Sequence, residues 1–244
     1  YKHVCGEWNN GFVIERCSDG SQFVWIPVGS LDSNGTLDGE HFSEKFGRRN
    51  YRNEEFSDDE FNEALNGELL EQFESVKKYG GFYIARYELG LENNTPVSKN
   101  ANSNSNVKTA TANNSNTYRW YGLYKTCKTY SKENVTSSMI WGSQYDAVMN
   151  WMAKQGIDVG SKNENKTNKT EITGKYITDV LNNIYDLYGA HKEWTIEGNS
   201  NNQRSTRGGV YDGIYSPANR YSNNNLLPDQ TGVGNNTRIT LYVN

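Results

Sequence analysis

A core for this chain has to be built from aromatic side chains more than from aliphatic ones. Its 244 residues include 17 Tyr, 6 Trp and 8 Phe, yet hydrophobic residues together reach only 34%. That share lies below the roughly 45–50% usual for globular chains when Gly is counted in; the 23 Gly narrow the gap. A mean hydropathy of -0.87 fits this polarity. No apolar run approaches the roughly 18 residues of a membrane-crossing helix, which excludes membrane insertion by such a helix. The 13% aromatic share argues against a disordered polar chain. The length suits one domain over 1–244. A net charge of -4 speaks against a nucleic-acid partner held by a basic patch.

About one residue in seven is Asn, against a usual mix led by Leu, Ala and Gly. A surface of Tyr, Asn, Ser and Gly resembles a paratope, with rigid aromatic anchors among adaptable hydrogen-bonding groups. An AT-rich genome produces the same bias. The three cysteines, Cys5, Cys17 and Cys127, form no zinc or redox motif. Cys5 and Cys17 lie near an early hairpin and are candidates to pair; the odd count leaves one thiol free. The chain opens at Tyr1 with neither Met nor a signal-peptide pattern, as a processed chain or a piece of a longer one would.

Along the chain, Phe12–Ile14 and Gln22–Val28 predict the two strands of a hairpin, with Ser18-Asp-Gly20 at the turn. Ser57 and Glu60 form a capping-box pattern ahead of Phe61, Leu65, Leu69, Phe73 and Val76 at helical spacing, broken at Asn66-Gly67 and ended by Gly80-Gly81. Phe82–Leu89 predicts a strand. Residues 92–116 and 159–171 are low in apolar residues and predict polar surface loops. Between them, Trp120, Leu123, Tyr124 and Cys127 define one helix face, with Cys127 a buried core thiol. A second helix follows a Ser143–Asp146 capping pattern, with Ala147, Val148, Trp151 and Met152 on one face and Gly156 at its end. The last 55 residues carry little helix signal and close on the strand Arg238–Val243, where Ile239, Leu241 and Val243 alternate inward.

Four segments together resemble the formylglycine-generating enzyme, or sulfatase-modifying factor, superfamily. They are Phe23–Val28 (FVWIPV), Gly80–Glu88 (GGFYIARYE), Asp186–Thr195 (DLYGAHKEWT) and Arg207–Tyr211 (RGGVY), with a weaker match over Trp141–Trp151. The resemblance covers nearly the whole chain. It implies an α+β, C-type lectin-like fold with a twisted antiparallel core, few helices, long irregular loops and first and last strands paired. The superfamily's oxidases bind copper through a Cys pair shortly after the RGG strand. Copper(I) selects soft thiolates, and no Cys lies between Arg207 and Asn244. Nor are His3, His41 and His191 grouped like the iron ligands of a related branch. The expectation is therefore a protein without catalytic residues.

In the superfamily the turn matching Asp186–Glu193 contributes to a calcium site. The resemblance implies possible structural calcium, with Asp186 and Glu193 as carboxylate ligands and Gly189 and His191 as carbonyl donors. Ala190-His191-Lys192 departs from the family pattern. On the residues alone, Asp186 caps a turn and Glu193 pairs with an Arg. Trp194 is a core residue on either reading.

A non-catalytic branch, similar to the variable proteins of diversity-generating retroelements in phages and bacteria, displays ligand-binding residues just before its terminal strand. There, adenine randomisation of AAC or AAT codons never yields Lys, Glu, Gln, Met or Trp. Residues 208–225 contain none of these five. The resemblance implies a variable ligand-binding region within 198–237, displaying Val210, Tyr211, Asp212, Gly213, Ile214, Tyr215, Ser216, Asn219, Tyr221, Ser222, Asn223 and Asn224. The partner it implies is a protein or glycan on a cell surface, and the location a phage particle, a bacterial surface or the extracellular space. For each Tyr the alternative is burial with its hydroxyl satisfied. Two other functions stand beside this one: an oxidoreductase of the superfamily with altered chemistry, and a structural decoration domain of a phage particle.

Overall fold

The structure is a computed structural model. It describes residues 1–28, 61–62, 68–104, 106–111, 119–132, 134–199, 204–222 and 234–244; for Phe61, Asn62, Leu69, Asn199, Tyr221 and Ser222 it describes the backbone only. The described chain is α+β, with mostly antiparallel sheets and three helices.

The hairpin expected at the start is β2 (Asn10–Glu15) against β3 (Gln22–Pro27), with Val13 opposite Val24. A strand without a sequence signal, β1 (Lys2–Glu7), pairs outside β2. The candidate pair does not form: Cys5 and Cys17 are both free thiols.

Phe61–Asn62 form a short strand, β4, rather than helix; Ser57–Glu60, Leu65 and Asn66-Gly67 lie outside the described residues. Helix α1 covers Glu68–Tyr79 and β5 covers Gly81–Ala85. Gly80 and Gly156 take φ of +79° and +77°, the left-handed conformation in which glycine ends a helix.

Residues 92–116 are more than a solvated loop. Strands β6 (Gly90–Glu92), β7 (Thr95–Val97) and β8 (Val107–Thr109) form a three-stranded sheet. They bury Val97 and Val107, and Ala110 is buried just beyond β8. The few apolar residues of the stretch sit where the strands need them.

Helix α2 (Trp120–Lys128) buries Trp120, Leu123 and Cys127 as its spacing predicts. Burial pushes the Cys127 thiol up, so it stays protonated and inert. After β9 (Val135–Met139) comes α3 (Gly142–Lys154), with Ala147, Val148, Trp151 and Met152 buried. Its cap differs from the expected one, since Gln144 Oε1 accepts the Trp141 N–H at 2.9 Å.

Residues 159–171 carry no regular element and are exposed or half-buried, apart from the buried Val159, Thr167 and Asn168. Beyond them lie β10 (Val180–Leu181), β11 (Ile184–Tyr185), β12 (Glu193–Asn199), β13 (Arg204–Arg207), β14 (Arg220–Ser222) and β15 (Ile239–Val243).

The main sheet runs β1-β2-β3-β5-β15-β9, with antiparallel neighbours. First and last strands share this sheet but do not pair: β15 lies between β5 and β9. Successive strand residues face opposite sides. Val24, Ile26 and Ile84 enter one core with Tyr145, Val148 and Trp151 of α3. Phe23, Ala85 and Leu241 enter a second with Trp120, Leu123, Trp141 and Trp194. Because both faces are covered, Thr240 and Tyr242 are buried along with Ile239 and Leu241. A second sheet, β14-β13-β12-β4, joins the end of the first through Trp194 N–H to Asn236 O at 2.8 Å and Ile196 N–H to Ile140 O at 3.1 Å.

Candidate functional site

The candidate display region is a loop leaving β13 at Arg207 and returning into β14 at Arg220. Both arginines are fully buried. A buried charge needs a partner, and two carboxylates supply it, although Nη1 of each arginine has no hydrogen-bond partner among the described residues. Arg207 Nη2 donates to Asp146 Oδ1 at 2.7 Å and Arg220 Nη2 to Asp146 Oδ2 at 3.2 Å. Arg220 also pairs with Glu197 through Nε, at 3.2 Å, and through Nη2. Arg207 Nη1 lies 3.9 Å from Glu197, and its guanidinium packs 4.7 Å from the Tyr145 ring centroid. Among the described residues two cations thus balance two anions. Burial raises the Asp146 pKa, while the Arg207 and Arg220 charges oppose the rise.

The network ties four elements together. Asp146 comes from the first turns of α3, Glu197 from β12, Arg207 from β13 and Arg220 from β14. The N-terminal residue of α3, Gly142, leaves no room for a Cβ beside the Glu197 carboxyl; an anion there is favoured by the helix dipole.

Around this neck the loop is stitched shut. Arg207 Nε and Gly208 N–H both donate to Asn219 O, at 3.2 and 3.1 Å. Tyr145 OH donates to Pro217 O at 3.2 Å. Ser216 OH donates to Asn219 Oδ1 at 2.5 Å. Ser216 and Asn219, expected on display, are buried at 1% and 3% exposure, because each satisfies the other inside the neck.

The tip behaves differently. Asp212 and Ile214 are exposed, and Val210, Tyr211, Gly213 and Tyr215 are half-buried. The Lys192 ammonium sits 5.2 Å from the Tyr215 ring centroid. Tyr211 holds the loop by its N–H, 3.0 Å from Ala190 O. The charge and hydrogen bond of Glu171 hold its phenol above the usual value. Tyr221 and Ser222 lie in β14 opposite Thr206 and Ser205; Asn223 and Asn224 lie outside the described residues.

Beneath the tip, Gly209 packs against the 187–190 turn so closely that a Cβ would overlap the Tyr188 carbonyl, which is backbone. At Gly213 the nearest atoms to an added Cβ belong to the movable Tyr215 ring. Gly209→Ala is therefore expected to cost about 1–3 kcal/mol, whereas Gly213→Ala stays within about 0.5 kcal/mol. Urea denaturation of the two variants checks the contrast.

In the turn read as a calcium site, protein donors bond Asp186 and one oxygen of Glu193. Asp186 Oδ1 accepts Asn168 Nδ2 at 2.7 Å; its Oδ2 accepts Thr173 OH at 2.6 Å and Gly174 N–H at 2.7 Å. Glu193 Oε1 accepts Arg238 Nε at 2.7 Å, and His191 Nδ1 lies 2.6 Å from Glu88 Oε2. Gly189 packs against the Asn168 backbone. Three donors thus hold Asp186 and a guanidinium pairs with Glu193 Oε1, while Glu193 Oε2 is buried with no hydrogen-bond partner among the described residues. Their arrangement follows the alternative, with Asp186 capping a turn and Glu193 paired with an Arg. Among the described residues no group of three or more His, Cys, Asp or Glu is placed to hold a metal. Trp194 is in the core, 1% exposed.

Sequence reasoning missed the network. Asp146 was expected in a cap, Glu197 carried no signal, and Arg220 stood unmarked within the display stretch. The available signal was a charge inside otherwise apolar patterns, as in Tyr145-Asp-Ala-Val148 and Trp194-Thr-Ile-Glu197.

The chain matches none of the protein-family models, curated proteins or solved structures with which it was compared.

Proposed function

We propose that the chain is a non-catalytic ligand-binding domain of C-type lectin-like architecture, which presents residues 210–215 to a protein or glycan on a cell surface. The observation that carries this reading is the division of the loop into two parts. Its neck is buried, ion-paired and stitched to three strands and a helix. Its tip offers a half-buried pair of tyrosines around exposed Ile214 and Asp212. A rigid scaffold holding a tolerant, Tyr-bearing surface is the physical requirement for changing partners without losing the fold.

On this reading the protein is a phage- or bacterium-encoded variable protein of a diversity-generating retroelement, working on a phage particle or outside a bacterial cell. Absence of Lys, Glu, Gln, Met and Trp from 208–225 supports it. The test is to sequence the DNA downstream of the gene. The expected result is a near-copy of the codons for 198–244, differing only at template adenines and lying beside a reverse transcriptase. Differences scattered over all bases, or no copy, remove diversification from the proposal.

A further inference from the structure

On residues apart from the 208–222 loop, a second concavity opens where the turn after β2 meets the turn after β7. It has a volume of about 270 Å3, and its lining includes Gln22, Tyr87, Lys99, Asn100, Ser103 and Asn104. We propose that this cleft binds a single uncharged, polyhydroxylated ring of hexose type.

Three features point to that ligand. The first is size: the cleft lies below the roughly 300–1,000 Å3 typical of drug-sized ligands, so it admits one small ring. The second is chemistry. The lining carries three carboxamides, a hydroxyl, an ammonium and the nearly buried Tyr87. A ring of hydroxyl groups needs such closely spaced donors and acceptors. The third is charge. Lys99 Nζ donates to Glu92 Oε2 at 2.6 Å, which neutralises the cation and favours an uncharged ligand.

The polar groups are also held in place before any ligand arrives. Asn100 Oδ1 accepts the N–H groups of Asn102 and Ser103 at 2.9 and 3.2 Å, and its Nδ2 donates to Gly174 O at 3.2 Å. Asn104 Nδ2 donates to Glu92 Oε1 at 3.0 Å, so one carboxylate positions both Asn104 and Lys99. Gln22 is fixed between Glu15 and Arg86. Tyr87 stacks on Tyr185 at 4.7 Å. Such positioning lowers the ordering cost of binding. An ammonium has three N–H donors, and the Glu92 bond uses one of those on Lys99.

The test uses the 244-residue chain and saturation-transfer NMR with glucose, galactose, mannose and N-acetylglucosamine, each added alone. At least one is expected to bind with a Kd of about 1–10 mM, the range open to a small polar ligand. Ser103 is exposed, so Ser103→Trp crowds the cleft without touching the core. It is expected to weaken binding at least tenfold. Asn104→Ala provides an independent lesion and is expected to weaken binding severalfold, while Tyr215→Ala leaves it unchanged. The proposal is overturned if no sugar gives saturation transfer, if both cleft variants bind like the parent, or if Tyr215→Ala abolishes the signal.

Discussion

Replacing Arg220 with Ala is expected to destabilise the protein by about 3–5 kcal/mol, the usual cost of removing one partner from a buried ion network. Arg220 is 1% exposed and bonds both Asp146 and Glu197. Its removal takes a guanidinium from both Asp146 and Glu197; that of Arg207 stays bonded to Asp146 and lies 3.9 Å from Glu197. In a chain of this size such a loss lowers Tm by roughly 6–20 °C. Lys169→Ala is the matched control. Its pair with Glu164 is 3.0 Å long, but the side chains are 53% and 62% exposed, so its loss costs under about 1 kcal/mol. Urea unfolding distinguishes the two: the Arg220 variant shifts the midpoint with little change in slope, and the Lys169 variant hardly shifts it. Loss of the neck also frees both ends of the display loop, so Arg220→Ala should abolish partner binding even below its melting temperature.

Stability is expected to fall as pH rises from about 5 to 9. Burial, with the charge of Asp186, pushes the Asp179 pKa up to about 8. Burial, with the charge of Glu88, pushes Asp186 up to about 6. Burial raises Glu193 as well, against the opposing charge of Arg238. For His191, burial favours the neutral ring, but the charge and hydrogen bond of Glu88 outweigh it and raise the pKa. Every one of these folded-state values lies above its unfolded counterpart. Each contribution is therefore complete below the unfolded pKa, about 4 for the carboxylates and 6.5 for the His. Each is lost as pH climbs through the folded value. At about 1.4 kcal/mol per pKa unit, Asp186 alone accounts for about 3 kcal/mol in all, of which about half is lost above pH 5. Glu15 and Glu92 have lowered values and act in the opposite direction, but both sit at the surface and weigh little. Calorimetry at pH 5 and pH 9 should give a Tm lower by roughly 10 °C at the higher pH. Asp186→Asn should flatten that dependence.

The elements that repeat a clear period were legible in the sequence. The β2–β3 hairpin and β15 follow strand alternation, and α2 and α3 follow helical spacing, because each packs a continuous apolar face on a core. Sheet order was not legible. Insertion of β15 between β5 and β9 joins residues far apart in sequence through backbone hydrogen bonds, which leave no mark on side-chain type. The 92–116 segment hid its strands because its buried apolar residues, among them Val97, Val107 and Ala110, stand singly between polar neighbours. In the candidate site the position of the loop could be read, but its division could not. Ser216 and Asn219 look like display residues by composition; only the structure pairs them with each other within the buried neck. The ion network escaped because its members lie as far as 74 residues apart, as Asp146 and Arg220 do.

The loop is built as a fixed neck that carries a replaceable tip. The most direct test of that division is a library of every single substitution from Arg207 to Arg220, displayed on yeast and scored by resistance to protease. Asp212, Ile214 and Tyr215 should accept most residue types, and Arg207, Gly209, Ser216, Asn219 and Arg220 very few. A tip as restricted as the neck, or a neck as permissive as the tip, would contradict the account.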